Sequence, residues 1–153
     1  MKNFPYGYPA IVAMVIMGLV LASRVLAAQT PPAQTTAEEV KKKVAETVQA
    51  IKSYSVDQRN QAVQKAKVEL EDFDARINEL ESRLNQKWDQ MDGAARQEAS
   101  SSMAALRKQR NAVAEWLGGL EHGSKHAWED VKAGFSKSFH DLGDAFDKAY
   151  QNL

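Results

Sequence analysis

From Glu38 to Trp116 the chain holds no proline and a single glycine, Gly93. No other feature limits the fold so tightly, because a stretch this free of breakers is helical wherever its apolar residues recur at helical spacing. They do recur. Val63, Ala66, Leu70, Phe73, Ile77, Leu80, Leu84, Trp88 and Met91 follow one another at intervals of three or four. From Val63 to Leu84 the intervals alternate as in a heptad repeat, and the flanks are charged, as in "KVELEDFDARINELESR". Such a stripe lies along one helix face and predicts a coiled-coil-like contact with a second helix. Glu79 and Arg83 add an i,i+4 pair on the outer face. No segment shows the two-residue alternation of a half-buried strand.

The ends of this region are marked by local chemistry. Thr35 or Thr36 is suited to cap the first helix, with Glu38 and Glu39 in its first turn, where the helix dipole favours negative charge. Val40, Val44, Val48 and Ile51 keep the period; the polar run "SYSVDQRNQ" then reads as a loop, a kink or a frayed helix. Beyond Met91 the stripe weakens, and "MDGAARQEASS" admits two arrangements. Gly93 sits inside a continuous rod, or residues 91–96 bend the chain into an antiparallel hairpin. A hairpin buries its own stripe whereas a rod requires a partner chain, so the hairpin is preferred. Gly118, Gly119 and Gly123 are expected to end the long helix, with 118–124 as a break and Ser124 capping the next helix. The expected fold class is all-α: long amphipathic, coiled-coil-like helices over 38–117, arranged as an antiparallel hairpin, plus a C-terminal amphipathic helix over 125–153.

That last segment carries a second periodicity. Trp128, Phe139 and Tyr150 stand eleven apart, as do Val131 and Leu142, and Phe135 and Phe146. Eleven residues fill three turns at 3.67 per turn, so the stripe drifts little around a helix. In its period alone the segment resembles exchangeable apolipoproteins; the likeness covers under a fifth of the chain. The stripe has three candidate uses: closing a bundle against the preceding helices, lying in a lipid interface, or docking on another protein. Its polar face carries Lys125, Lys132, Lys137 and Lys148 against a small excess of acids, which argues against electrostatic attraction to anionic lipid. Gly134 and Gly143 each cost about 1 kcal/mol inside a helix and are sites for a close neighbour or a pliable segment.

The first 28 residues read differently. "MKNFPYGYP" with one lysine, an uncharged run from Ala10 to Ala22, and small residues before a cut after Ala27 or Ala28 are the signature of a secretory signal peptide. The rival is an uncleaved anchor over residues 10–28. Residues 29–37 form a Pro- and Thr-rich linker. The expectation is export, to the periplasm in a bacterium, with inner-membrane anchoring as the alternative. Twenty basic and twenty acidic residues balance, which argues against nucleic-acid binding, and the absence of cysteine excludes thiolate chemistry and a disulfide framework.

Candidate sites are few. His122 and His126 have i,i+4 spacing, suited to a metal, but Gly123 between them is expected to break the helical face they would share. Carboxylates such as Glu69, Asp72, Glu79 and Asp89 read as solvated surface on charged faces, and Trp88 and Trp116 read as core. No nucleophile motif or phosphate-cradling loop is present. No enzyme activity and no cofactor are expected. The candidate interaction face is Leu70, Phe73, Ile77, Leu80 and Leu84, with Trp128, Val131, Phe135, Phe139, Leu142, Phe146 and Tyr150. The expected role is structural or protein-interacting, in the cell envelope, through self-association or an envelope protein. The alternatives are a chain associated with a membrane or lipid surface and, more distantly, a periplasmic accessory metal-binding protein.

Overall fold

The computed structural model describes residues 36–153. They form an all-α four-helix bundle, and no strand occurs among them. Helix α1 spans Ala37–Ser53, α2 Arg59–Lys87, α3 Gly93–His122 and α4 Trp128–Gln151. At 1.5 Å per residue α1 is about 25 Å long and α3 about 45 Å, so α1 covers little more than half of the bundle's length.

Each boundary has a local cause. Thr36 opens α1 with a full capping box: its hydroxyl accepts from the Glu39 amide, and the Glu39 carboxylate accepts from the Thr36 amide. The helix stops at Tyr54, which turns extended. The polar run after it is a loop with one 3-10 turn at Val56–Gln58, across which the Gln58 side chain accepts from the Ser55 amide and the Gln58 amide donates to the Ser55 carbonyl. A second 3-10 turn, Trp88–Gln90, closes α2, after which Met91 is extended and the Asp92 side chain accepts from the Ala95 amide to start α3.

Two sequence expectations are corrected. Gly118 and Gly119 do not end the long helix; α3 runs through both to His122 and stops only at Gly123, whose amide donates to the Gly119 carbonyl at 2.7 Å. Helical propensity alone disfavours the pair, but Gly119 faces Val131 of α4, and a Cβ there would lie 3.1 Å from the valine Cγ1. The final helix begins at Trp128 rather than Lys125, because Ser124–Ala127 is taken up by a turn in which Ser124 accepts from the Ala127 amide.

Cross-helix bonds fix the order of the helices around the bundle. Lys67–Glu121, Asp74–Arg110 and Glu81–Arg107 set α2 beside α3 in opposite directions. Asn152 donates to Ser102, and Trp116 lies on Gly134, setting α4 antiparallel to α3. Lys41–Asp147 and the bonds of Lys132 to the Lys52 and Tyr54 carbonyls set α1 antiparallel to α4. Lys43–Glu69 links α1 to α2. Helices α2 and α4 face one another across the diagonal, where Phe73 stands edge-on to Phe139 and Phe146, with ring centroids 5.8 and 5.6 Å apart.

The localisation reading is corrected as well. Among the described residues no helix is long and apolar enough to cross a membrane. No described segment supports inner-membrane anchoring. The signal-peptide reading of residues 1–28, the anchor placed on 10–28 and most of the linker over 29–37 lie outside the described residues.

Candidate interaction surface

Both apolar stripes of the sequence point inward. Leu70, Phe73, Ile77, Leu80 and Leu84 of α2 are buried, as are Trp128, Phe135, Phe139, Leu142 and Phe146 of α4. Val131 and Tyr150 are partly buried against the same cluster. Full burial of each large side chain contributes about 1.5–3 kcal/mol, and the stacked Phe135–Phe139 pair, with centroids at 5.6 Å, adds a ring contact along α4. The eleven-residue period thus keeps the α4 stripe on the bundle axis for the helix's whole length. An interfacial helix needs that face free, and here it is enclosed.

The histidines do not converge. His122 is the last residue of α3 with an exposed side chain 3.6 Å from its neighbour Glu121; His126 is exposed in the following turn. Gly123 breaks the helix between them, so the i,i+4 spacing never becomes one helical face. Among the described residues no group of three His, Cys, Asp or Glu side chains is placed to hold a metal.

Of the carboxylates read as solvated, Glu69 is not. It is 4% exposed, bonded to Lys65 at 2.5 Å, with Lys43 at 3.7 Å from its other oxygen. Burial of that carboxylate is tolerated because two lysines from two helices surround it, one of which crosses from α1. The hydrogen bond to Glu69 holds the Lys65 amine above its ordinary value.

The outer seam of α2 and α3 is polar and open. A groove of ≈ 490 Å³ lies there, lined by Asp74, Asn78, Glu81, Arg107, Arg110 and Asn111. Its charges answer one another. Arg110 grips Asp74 with two guanidinium nitrogens, and the bond raises the arginine further above its ordinary value. Lower on the same seam, the bond from Lys67 holds the Glu121 carboxyl below its ordinary range. A groove whose arginines are already paired is a poor receptor for an anion.

Trp116 departs from the sequence reading. It is 40% exposed, and with Val68, 58% exposed, it makes up the exposed large apolar side chains among the described residues. The ring is nevertheless seated: a Cβ on Gly134 would fall 2.5 Å from two of its carbons. Only a glycine lets the indole lie flat on the α4 backbone. Trp88, by contrast, is partly buried beneath the Arg96 guanidinium, 5.4 Å from its ring centroid. The sequence signal for Trp116 is its place at the edge of the Leu106, Val113, Leu117, Leu120 stripe opposite a glycine on a later helix; a single chain read alone does not show that pairing. Val68 has no such signal beyond falling off the α2 stripe.

No protein-family model, no curated protein and no solved structure matches this chain.

Proposed function

We propose that this chain is a non-enzymatic helical bundle that works through contact with protein, its own copy or another. One observation carries the reading: an exposed indole laid against the α4 backbone at Gly134. Tryptophan is among the side chains most enriched at positions that dominate binding energy, and one that is already ordered loses little entropy on docking. The rest of the stripe chemistry is consumed inside the bundle, so the contact is assigned to Trp116 rather than to the α2 or α4 stripes.

The test is site-specific photo-crosslinking from position 116 in the source cells, with exposed Gln97 on the same helix as the control position. A discrete adduct from 116 and none from 97 is expected, either at twice the monomer mass or with one further protein. Sedimentation over a range of concentrations then separates self-association from a distinct partner. Equal, diffuse or absent labelling at both positions overturns the assignment to Trp116.

A further inference from the structure

Helix α1 buries apolar side chains in both halves, Ala37, Val40 and Val44 in one and Ile51 in the other, but its polar ties to α4 are unequal. At its C-terminal end Lys132 of α4 is buried, its side chain 8% exposed, and donates to the Tyr54 carbonyl at 2.8 Å and the Lys52 carbonyl at 3.2 Å. The Trp128 indole N–H donates to the same Tyr54 carbonyl at 3.3 Å. A cation on the last carbonyls of a helix satisfies groups that the helix leaves unpaired and matches its dipole. At the other end the tie to α4 is Lys41–Asp147 at 2.8 Å, with the lysine side chain 51% exposed. Solvent-exposed pairs of this kind hold weakly.

Two further observations fall in this half, whose polar tie is exposed. A groove of ≈ 320 Å³ opens between α1 and α4 there, lined by Lys41, Val44, Ala45, His140, Gly143 and Asp144. On the α2 side, the buried Glu69 Oε2 accepts no hydrogen bond from the protein, and Lys43 reaches only to 3.7 Å of it. Opening of this half exchanges the Lys43 contact at that oxygen for hydrogen bonds from water. Val40 and Val44 belong to the same buried cluster as Phe73, Phe139, Leu142 and Phe146.

We propose that α1 is a strap, hinged at its Lys132-held C-terminal end, that peels reversibly from its N-terminal end and uncovers the aromatic interior while α2, α3 and α4 stay folded. Local openings of this kind occur well below the free energy of global unfolding, and this one breaks the exposed Lys41–Asp147 pair while the buried Lys132 bonds hold. The strap does not depend on where a partner docks.

The chain contains no cysteine, so single thiols report cleanly. Val44→Cys and Ile51→Cys place one thiol in each half, both at buried positions. With rates normalised to the unfolded chain, the thiol at position 44 is expected to react with an aromatic disulfide reagent about tenfold faster than the thiol at position 51 under native conditions. Asp147→Asn raises the rate at position 44 and leaves that at 51 unchanged; Lys132→Met brings the rate at 51 up to that at 44. A staple completes the test. A Cβ on Gly143 stands 3.5 Å from the Val44 Cβ, at the short end of the roughly 3.5–4.5 Å window of disulfides. Oxidised Val44→Cys/Gly143→Cys is therefore expected to slow amide exchange over residues 41–46, and reduction to restore it. Equal thiol rates at 44 and 51, or exchange in 41–46 indifferent to the staple, overturns the strap. If Lys132→Met does not fold, the Asp147→Asn and staple measurements decide.

Discussion

Helices α2 and α4 face one another across the bundle, both with aromatic-bearing stripes turned inward, yet they meet their neighbours in opposite ways. Helix α4 comes close. Gly134 receives Trp116 of α3, Gly143 receives Val44 of α1, and Gly119 of α3 receives Val131 of α4. Its seams are made by removing side chains. Helix α2 stands further off on Leu70, Phe73, Leu80 and Leu84, and long charged side chains bridge the gap: Lys43 to Glu69, Lys67 to Glu121, Asp74 to Arg110, Glu81 to Arg107. The open groove beside Asp74 and Arg110 is the space left over. A glycine seam depends on shape and is indifferent to salt; a bridged seam tolerates shape changes and responds to salt and pH.

The contrast sets the order of expected effects. Phe139→Ala removes a fully buried ring from the α4 stripe and is expected to cost about 3–5 kcal/mol in chemical denaturation. A loss under roughly 1 kcal/mol would mean that the core does not depend on the eleven-residue stripe. Gly143→Ala comes next. Its Cβ would sit 2.9 Å from the Val44 Cγ2, and overpacking of this kind costs about 1–3 kcal/mol even though alanine favours helix. Val44→Ala in the same chain is expected to recover part of that loss, so the pair is strongly coupled in a double-mutant cycle. Additive effects would show that the seam is not tight at Gly143.

On the α2 side the effects are smaller. Asp74→Asn weakens a half-exposed bidentate pair and is expected to cost about 0.2–1 kcal/mol, shrinking as salt is raised. Phe139→Ala should cost the same at low and high salt. If both respond alike to salt, the two kinds of seam are not distinct. The acid arm of the stability curve is the mildest test. The bond from Lys67 holds the Glu121 carboxyl below its ordinary value. A carboxyl depressed on folding binds its proton more readily in the unfolded chain, so its contribution is present above the unfolded value and is lost as pH falls through the folded one. Melting temperature is expected to decline as pH drops below about 4.5, the ordinary value for Glu121, and Lys67→Met should flatten part of that decline. An unchanged slope in Lys67→Met would show that the bridged seam carries no such linkage.

How far the fold can be read from the residues differs by feature. The cap at Thr36 follows from local chemistry and is legible as such, whereas the polar run from Ser53 reads equally as loop, kink or frayed helix, and the bend read at 91–96 begins earlier, at the Trp88–Gln90 turn. Gly118 and Gly119 mislead because a local rule for glycine, helix termination, is overridden by a neighbour on another helix. Glu69 misleads for the same reason. Its flanking charges read as a solvated face, while Lys43, which lies opposite it, comes from α1. Trp116 reads as core and stands half outside, because its seat is a glycine eighteen positions further along the chain.

Helicity of the described chain, the apolar faces of α2 and α4 and the start of α1 are written in the residues themselves, because those properties depend on neighbours within one or two turns. The contacts of the stripes, the glycines that are seats rather than breaks and the charges that are buried emerge only when the four helices pack. Those outcomes depend on side chains tens of residues apart meeting at distances of a few ångströms, and no period or composition encodes such a meeting. The eleven-residue stripe of α4 belongs to both lists: its regularity is plain in the residues, and its enclosure requires the other three helices.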